Sequence, residues 1–388
     1  MTEKKCTLLD VSTGTWIDAL RITAADVGSG AAAAEIAKRT LHGGLCDGVD
    51  VVRLNNGRLS FDVVPTRGMG LWNAWIDGQE LGWRSPVRGP VHPRFVPLME
   101  PGGLGWLDGF DELLVRCGLE SNGAPDFDDR GRLVYPLHGR IANRPAHQVA
   151  AEFDGRTGRL SVTGVVEETR FHFTKLRMTS TYTTHVGESS VTLHDEIENF
   201  SGAPATMQLL YHVNFGEPLL DAGSRFVAAF KKVVPRDMRA AQGIATWNRY
   251  AAPAPDYAEE CYFLELVAED DGQSQVLLRN AEGTRGVSIF VDTRQLPCFT
   301  LWKNTVASPD GHATGLEPGT NFPNTRTFEG KQGRVVKLAP GGKVSFDLRL
   351  EFLRTSVEVA KAEKAIQVLQ GLAERVVHDK PQPGWCVV

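Results

Sequence analysis

The stretch "RFHFTKLRMTSTYTTHV", residues 170–186, alternates apolar and polar side chains and is rich in threonine. A similar pattern precedes it in "RLSVTGVVEE" at 159–168 and follows it in "SSVTLHDEIEN" at 189–199. Alternation with a period of two, combined with many β-branched residues, is typical of half-buried strands. Turn formers at Asp154-Gly155 and Gly187-Glu188 bound these strands, so the region predicts an antiparallel meander.

Strand-like segments continue over most of the chain. Between residues 261 and 353 they include "CYFLELVAE", "SQVLLRN", "GVSIFVD", "CFTLWKN" and "VSFDLRLEFL". Nearer the N-terminus, Asn55-Asn56-Gly57 separates two more such segments and predicts a hairpin, because Asn and Gly tolerate positive φ. The sequence does not alternate strands with helices, and this favours a mainly β fold with a large antiparallel structure.

Helical patterns are few. Within residues 356–377, apolar residues recur at helical spacing and predict a C-terminal helix packed on a sheet: Ala362, Ile366, Leu369, Ala373 and Val376. The run "AAAAEIA" at 31–37 predicts a second, short helix.

Residues 100–130 are rich in glycine and acidic side chains and predict a long irregular excursion near a binding face. We expect one main β-sandwich domain over residues 45–353. Residues 1–44 would form an N-terminal strand and helix embellishment, and residues 354–388 a C-terminal helix and tail.

Composition limits the classes of partner. The 388-residue chain has a formal net charge of −5 and no basic run, which argues against nucleic acid binding. Its six cysteines include no CxxC pair, as in proteins of reducing compartments. The first residues contain no apolar signal segment and no run reaches the length of a membrane span. We therefore expect a cytoplasmic protein that does not contact membranes.

Metal and cofactor motifs are missing from the sequence. The ten histidines show neither HExxH nor HxxxH spacing, and no pair of cysteines accompanies them. Neither a Walker loop nor GxGxxG occurs. The sequence therefore predicts no metal site and no cofactor.

One carboxylate occupies an unusually rigid setting. Glu317 lies in "GLEPGTNFPN" at 315–324, where Pro318 and Gly319 follow it. A turn former after the residue fixes the direction of its side chain, and Leu316 before it indicates partial burial. Because a buried carboxylate without a partner is expensive, we interpret Glu317 as aimed at a ligand.

One histidine lies inside an apolar strand. His212 occurs in "LLYHVNFGEPLL" at 209–220, and Asn214 shares its face because strand side chains alternate. A single such histidine is more often a core residue with one hydrogen bond. Together with Glu317, however, it could act as an acid–base pair, since ordinary pKa values of about 4.3 and 6.5 leave the carboxyl ionised and part of the imidazole protonated.

Two further motifs hold polar candidates beside glycines. Arg67 lies in "VVPTRGMGL" at 63–71, and His138 and Arg140 lie in "YPLHGRIANRPA" at 135–146. Each has a plain alternative: Arg67 as the cap of a strand end or the partner of a surface carboxylate, and His138 as a turn residue.

In their order and spacing, "RGM", "LHGR", "YHVNFG" and "GLEPGTNFPNTR" resemble the aldose 1-epimerase (galactose mutarotase) superfamily. Within it the chain looks most like the DUF4432 branch, over about residues 45–353. The resemblance implies a β supersandwich of two large antiparallel sheets with a sugar cleft across one of them. It also implies a cofactor-free reaction in which a glutamate and a histidine open and close a sugar ring.

Carried over to this chain, the resemblance makes Glu317 the base and His212 the acid, with His138 as a second site histidine. Arg67 would match an arginine that holds sugar hydroxyls. Characterised members also use a glutamine that has no counterpart in "PCFTLWKN", where Trp302 and Lys303 are the nearest candidates.

The cations Lys303, Arg67 and Arg140 would suit an acidic or phosphorylated sugar, or a bidentate grip on a diol. The expected partner is a small carbohydrate, and the sequence leaves the sugar and the oligomeric state open. Two alternatives remain: a sugar-binding or sensing protein without chemistry, and an isomerase or lyase that uses the same cleft.

Overall fold

The protein is described by a computed structural model over residues 1–387. Its strands, numbered along the chain, are β1 Glu3–Asp10, β2 Thr15–Trp16, β3 Leu20–Thr23, β4 Ala34–Thr40, β5 Asp50–Asn56, β6 Leu59–Val64, β7 Gly70–Ile76, β8 Gln79–Leu81, β9 Leu114–Leu119, β10 Asp126–Phe127, β11 Leu133–Tyr135, β12 Gln148–Asp154, β13 Arg159–Thr169, β14 Lys175–His185, β15 Ser190–Asn199, β16 Ala205–Phe215, β17 Arg225–Ala228, β18 Phe230–Pro235, β19 Glu260–Leu266, β20 Gln273–Arg279, β21 Gly286–Asp292, β22 Cys298–Asn304, β23 Ala313–Gly319, β24 Val336–Leu338, β25 Lys343–Leu353 and β26 Val376–Val377. The helices are α1 Met238–Gln242, α2 Arg326–Lys331 and α3 Ser356–Gln370.

Two large sheets hold nearly all the strands. A ten-stranded sheet has the order β17-β20-β21-β25-β15-β14-β13-β12-β1-β2. A fourteen-stranded sheet follows the path β26-β18-β19-β22-β23-β16-β9-β7-β6-β5-β4-β3, with β24 paired to β16 and β8 to β7. All described pairs are antiparallel except β18 with β26. The result is a sandwich whose main core lies between the sheets.

Contacts between the sheets fix the direction of the side chains on β16 and β9. Tyr211 on β16 donates its hydroxyl to Asp195 on the opposite sheet, at 2.8 Å. Arg116 on β9 forms a fully buried ion pair with the same carboxylate, at 2.6 Å. Because side chains alternate along a strand, His212, the neighbour of Tyr211, must point to the outer face of the fourteen-stranded sheet.

Several predicted elements are confirmed. The meander corresponds to β13 through β15, each paired with the next in continuous antiparallel register. The Asn55-Asn56-Gly57 hairpin joins β5 to β6, with Gly57 at φ 91°. The C-terminal helix α3 begins with a capping box formed by Thr355 and Glu358, and it buries Ile366 and Leu369.

Three predictions about elements are wrong in part or whole. The run at 31–37 contributes to strand β4 instead of a helix, since Ala34 and Ile36 alternate into the core. The excursion at 100–130 is interrupted by β9, a central strand buried along its whole length. Helix α3 ends at Gln370, so Val376 lies in a short strand.

The N-terminal residues are part of the sandwich. β1 extends the ten-stranded sheet, while β3 and β4 extend the fourteen-stranded sheet. None of the helices described for residues 1–387 is long and apolar enough to cross a membrane.

Candidate active site

His212 is held in one orientation by its own strand. Its Nδ1 lies 2.6 Å from Oδ1 of Asn214, two residues further along the same face of β16. The Asn214 amide nitrogen donates to the carbonyl oxygens of Glu112 and His212, so its oxygen is the acceptor for the imidazole. His212 therefore carries its proton on Nδ1 when neutral and presents an unprotonated Nε2 to the outer face.

Glu317 meets this nitrogen from the neighbouring strand β23. Its Oε1 lies 3.2 Å from His212 Nε2, and the two side chains are 3% and 6% exposed. A Cβ at Gly315 would lie 2.4 Å from that carboxylate oxygen and 2.9 Å from His212 Cε1. Glycine at this position of β23 thus leaves the space in which the carboxylate and the imidazole meet.

Burial disfavours the charged form of each partner. It lowers the pKa of His212 to about 3, with a further lowering by His138 that the Asn214 hydrogen bond opposes. Burial also raises the pKa of Glu317 well above its usual value, and the charge of Glu259 adds to the effect. The pair therefore carries a single proton and no net charge over a wide range of pH.

Aromatic rings enclose the imidazole. The ring centroids of Phe110 and Trp302 lie 5.2 Å and 5.4 Å from that of His212. His138 lies 5.5 Å from His212, and Trp106 lies 4.5 Å from His138. Trp106 and Phe110 come from the segment that precedes β9, so this segment forms a wall over the outer face of the sheet.

His138 is fixed by a turn in the left-handed region. It has φ 56°, and Gly139 after it has φ 73°. Its Nδ1 lies 2.9 Å from the carbonyl oxygen of Asn122, which can only accept, so Nδ1 carries the proton and Nε2 is left as an acceptor. Burial lowers its pKa to about 4, although the bond to Asn122 and the charge of Glu259 oppose the shift.

A charged group lies at the edge of the site. Glu259, whose side chain is 46% exposed, accepts from Trp302 Nε1 at 2.7 Å and pairs with Arg236 at 2.8 Å. Arg236 also donates to the sulfur of Cys261, at 3.0 Å. The carboxylate of Glu259 thus holds the Trp302 ring beside His212, and it is itself held by Arg236.

Two buried polar atoms on this face, Thr300 Oγ1 and Trp106 Nε1, have no hydrogen-bond partner within residues 1–387. Thr300 is the direct cross-strand partner of Glu317 between β22 and β23. Since buried polar groups are normally hydrogen-bonded, these atoms are suited to the hydroxyl groups of a ligand.

The structure places the other predicted site residues differently. Asn214 is fully buried and orients His212, so it is not positioned to touch a ligand. Arg67 is also buried, pairs with Glu112 at 2.8 Å and donates to the Gly109 carbonyl oxygen at 2.7 Å. Its donors are occupied within the protein, and the prediction that Arg67 holds sugar hydroxyls is therefore corrected.

The prediction for Lys303 also fails, because of strand alternation. Lys303 follows Trp302 on β22 and so points to the opposite face, where its ammonium group lies 3.4 Å from Glu260. Arg140 is half-buried, and its one described side-chain contact is with the sulfur of Met99 at 3.9 Å. The predicted residues that meet at the site are His212, Glu317, His138 and Trp302.

Sequence reasoning missed the residues that reach the site from other segments. Glu259 precedes β19, and the register that pairs Cys261 with Trp302 carries it to the site edge. Strand alternation predicts that Glu259 and Cys261 share a face, but the sequence does not show that this face is the outer one. The described residues contain no group of three or more side chains able to hold a metal ion.

Comparisons with known proteins show the family and the fold of the chain. Residues 46–352 match the family described as "Domain of unknown function (DUF4432)". A crystal structure from Klebsiella pneumoniae, named "putative aldose 1-epimerase", is 35% identical, with a TM-score of 0.94 over 98% of this chain and 99% of that one. No curated protein matches the chain.

More distant structures share the fold. A galactose mutarotase-like protein from Clostridium acetobutylicum is 14% identical, with a TM-score of 0.57 over 83% of this chain and 99% of that one. An Escherichia coli K12 protein, also named "putative aldose 1-epimerase", is 15% identical, with a TM-score of 0.54 over 79% of this chain and 99% of that one. The chain therefore belongs to the DUF4432 family and has a galactose mutarotase-like β-sandwich fold.

Proposed function

We propose that this protein is a carbohydrate epimerase that interconverts the anomers of an aldose or a sugar derivative. The observation that carries the proposal is the 3.2 Å contact between Glu317 and His212 on the outer face of the sheet. The anomeric hydroxyl and the ring oxygen of an aldose are bonded to the same carbon atom. A carboxylate and an imidazole so close together can therefore reach both oxygens at once.

The shared proton supplies the chemistry. Transfer of this proton from Glu317 to His212 converts the neutral pair into a carboxylate and an imidazolium without changing the total charge. Glu317 then takes the proton of the anomeric hydroxyl while His212 Nε2 gives its proton to the ring oxygen, and the C1–ring oxygen bond breaks. After rotation of the aldehyde, the reverse transfers close the ring and restore the pair.

The other residues would bind and position the sugar. Trp106, Phe110 and Trp302 provide apolar faces, and the unpartnered Thr300 hydroxyl and Trp106 indole nitrogen can bond to hydroxyl groups. His138 Nε2 is a further acceptor close to His212. The partner in this proposal is a small carbohydrate.

The test is anomer exchange across a panel of aldoses, measured by saturation-transfer NMR. Glu317→Gln keeps the size of the side chain but removes the base, so we expect a loss of about 10²- to 10⁴-fold. Glu282→Gln, at an exposed turn, is the matched control and should exchange like the wild type. Equal exchange in wild type and Glu317→Gln would contradict the catalytic role.

The same samples separate the two alternatives. Saturable sugar binding without exchange in the wild type would indicate a binding or sensing protein. Incorporation of solvent deuterium at carbon would indicate an isomerase or lyase, since anomer exchange moves only hydroxyl protons.

A further inference from the structure

A second polar cavity, of about 600 Å³, lies away from the candidate active site. It is bordered by the tip of the β13–β14 hairpin, the turn before β16 and the first residue of α2, and none of the residues that meet at the active site lines it. The polar groups that carry the argument are Arg326, Thr206, Lys175, Tyr135 and Glu120.

Arg326 is the distinctive group in this cavity. It is half-buried, and its Nη2 donates to the Thr206 hydroxyl at 2.5 Å. Its Nε is buried and has no acceptor anywhere in residues 1–387, and the guanidinium forms no salt bridge with a described carboxylate. The ring of Tyr135, 5.8 Å away, offers only a weak cation–π contact.

An arginine in this state is unusual. A donor of a charged group that is buried without an acceptor destabilises a protein. Arginine side chains that are withdrawn from water are normally paired with a carboxylate or a phosphate. Nη1 makes no described hydrogen bond and, unlike Nε, is not buried, so it is the donor of Arg326 that is left for a ligand in the cavity.

The remaining walls of the cavity favour a negatively charged ligand. Lys175 contributes an ammonium group whose described contact is the carbonyl oxygen of Phe173, at 3.1 Å. Glu120 is the single carboxylate on the wall, and it accepts from the Thr174 hydroxyl at 2.9 Å. The guanidinium and the ammonium together outnumber this carboxylate, and the Thr206 hydroxyl, which accepts from Arg326, keeps its own proton as a further donor.

We propose that this cavity binds a small oxyanion, a phosphate or a carboxylate group, through Arg326 and Lys175. The planar guanidinium fits the paired oxygens of either group. Such charge-assisted hydrogen bonds are shorter and stronger than those between neutral groups. The volume leaves room for an organic part attached to the anion. This site is separate from the epimerase proposal, and neither depends on the other.

The experiment is calorimetric titration of the full chain with inorganic phosphate and, separately, with acetate, at constant ionic strength adjusted with sodium chloride. We expect saturable binding of at least one of the two anions by the wild type, and the preferred anion identifies the class of ligand. Arg326→Gln should weaken that binding at least tenfold, and Lys175→Gln severalfold. Arg58→Gln, which removes the same charge from an exposed turn, should bind like the wild type.

Two results would overturn the proposal: no binding of either anion by the wild type, or equal binding by wild type, Arg326→Gln and Lys175→Gln. If Arg326→Gln fails to fold because the contact with Thr206 is lost, Lys175→Gln alone decides, since its ammonium group makes no side-chain contact described here. Anomer exchange is not a readout in this experiment, so its outcome is independent of the proposed function.

Discussion

At the scale of single residues, the candidate site depends on how His212 and Glu317 hold one proton. An exposed glutamate and an exposed histidine would titrate independently, at pKa values of about 4.3 and 6.5. Here burial lowers the pKa of His212 and raises the pKa of Glu317 until their order is reversed. The imidazolium is then the stronger acid of the two, so the shared proton stays on the carboxyl group. Asn214 Oδ1 lies 2.6 Å from His212 Nδ1 and thereby fixes Nε2 as the imidazole nitrogen that faces the carboxyl.

The first prediction concerns the dependence of kcat/KM on pH. Activity requires one proton on the pair. A second proton is added only near pH 3, where His212 titrates, and the single proton is lost only above the raised pKa of Glu317. We therefore expect kcat/KM to fall as pH rises through the raised pKa of Glu317 and to stay constant toward acid down to about pH 5, since His212 is protonated on Nε2 only near pH 3.

Saturation-transfer measurements from about pH 5 to pH 9 would check this, with thermal unfolding recorded at each pH to separate inactivation from titration. A fall of kcat/KM toward about pH 5 would mean that one of the two groups gains a proton in that range and that the pair does not hold a single proton there.

The sequence shows some residues of the site more clearly than others, for physical reasons. Glu317 and His212 could be identified because a titratable side chain in a rigid or apolar stretch is unusual in itself. Arg67 and Lys303 could not be judged, because a cation beside a cleft and a cation buried with Glu112 or Glu260 look the same in sequence. Only the fold decides whether an internal carboxylate already occupies the cation.

At the scale of the element, strand β23 positions the carboxylate and also leaves space for it. A methyl group at Gly315 would collide with Glu317 Oε1 at 2.4 Å and with His212 Cε1 at 2.9 Å. We predict that Gly315→Ala lowers kcat by about 10- to 100-fold, since a displacement of about 1 Å can have such an effect. Overpacking should also lower the free energy of unfolding by about 1–3 kcal/mol.

Gly330→Ala is the matched control for this prediction. A Cβ at Gly330 in α2 would meet nothing within 4 Å, so kcat should stay at the wild-type value. Kinetics and urea unfolding of both variants are the measurements, and an active Gly315→Ala would show that the 3.2 Å contact is dispensable.

Strand β22 gives a second prediction at this scale, because two adjacent residues point to opposite faces. Trp302 lies beside His212, whereas Lys303 lies beside Glu260 in the interior. Trp302→Leu should lower kcat/KM about tenfold or more by removing a wall of the site. Lys303→Met should leave kcat/KM within about twofold but lower the free energy of unfolding by about 1–3 kcal/mol.

Each variant serves as the control for the other, since the substitutions differ by one position on one strand. The prediction is contradicted if Lys303→Met raises KM while stability is unchanged, because that result would place the ammonium group against the substrate.

Elements differ in how much of their structure the sequence reveals. The meander of β13 to β15 was predictable because each strand alternates and is bounded by turns. β9 was not, because all six of its residues are buried and the alternation is absent. In β4, alanines favoured a helix by propensity, but Ala34 and Ile36 pack into the core, and tertiary packing overrides such preferences.

At the scale of the whole molecule, the two faces of the fourteen-stranded sheet divide the charges of this region. The cations Arg116, Arg67 and Lys303 are buried and form ion pairs with carboxylates of the protein. At the site itself the carboxylate of Glu259 is close enough to raise the pKa of Glu317, and only Arg236 opposes it. The cations that favoured an acidic sugar in the sequence are therefore mostly turned away from His212 and Glu317.

This distribution leads to the last prediction. We expect neutral aldoses to be exchanged at least tenfold faster, by kcat/KM, than their 6-phosphates or the corresponding uronic acids, since a like charge against Glu259 is destabilising. Glu259→Gln keeps an oxygen that accepts from Trp302 and removes the negative charge, so the preference should shrink. Competition experiments at low ionic strength are the measurement, because salt screens interactions of exposed charges. A wild type that prefers the phosphorylated sugar, or a Glu259→Gln variant with unchanged preference, would show that other cations, such as the half-buried Arg140, determine the charge of the cleft.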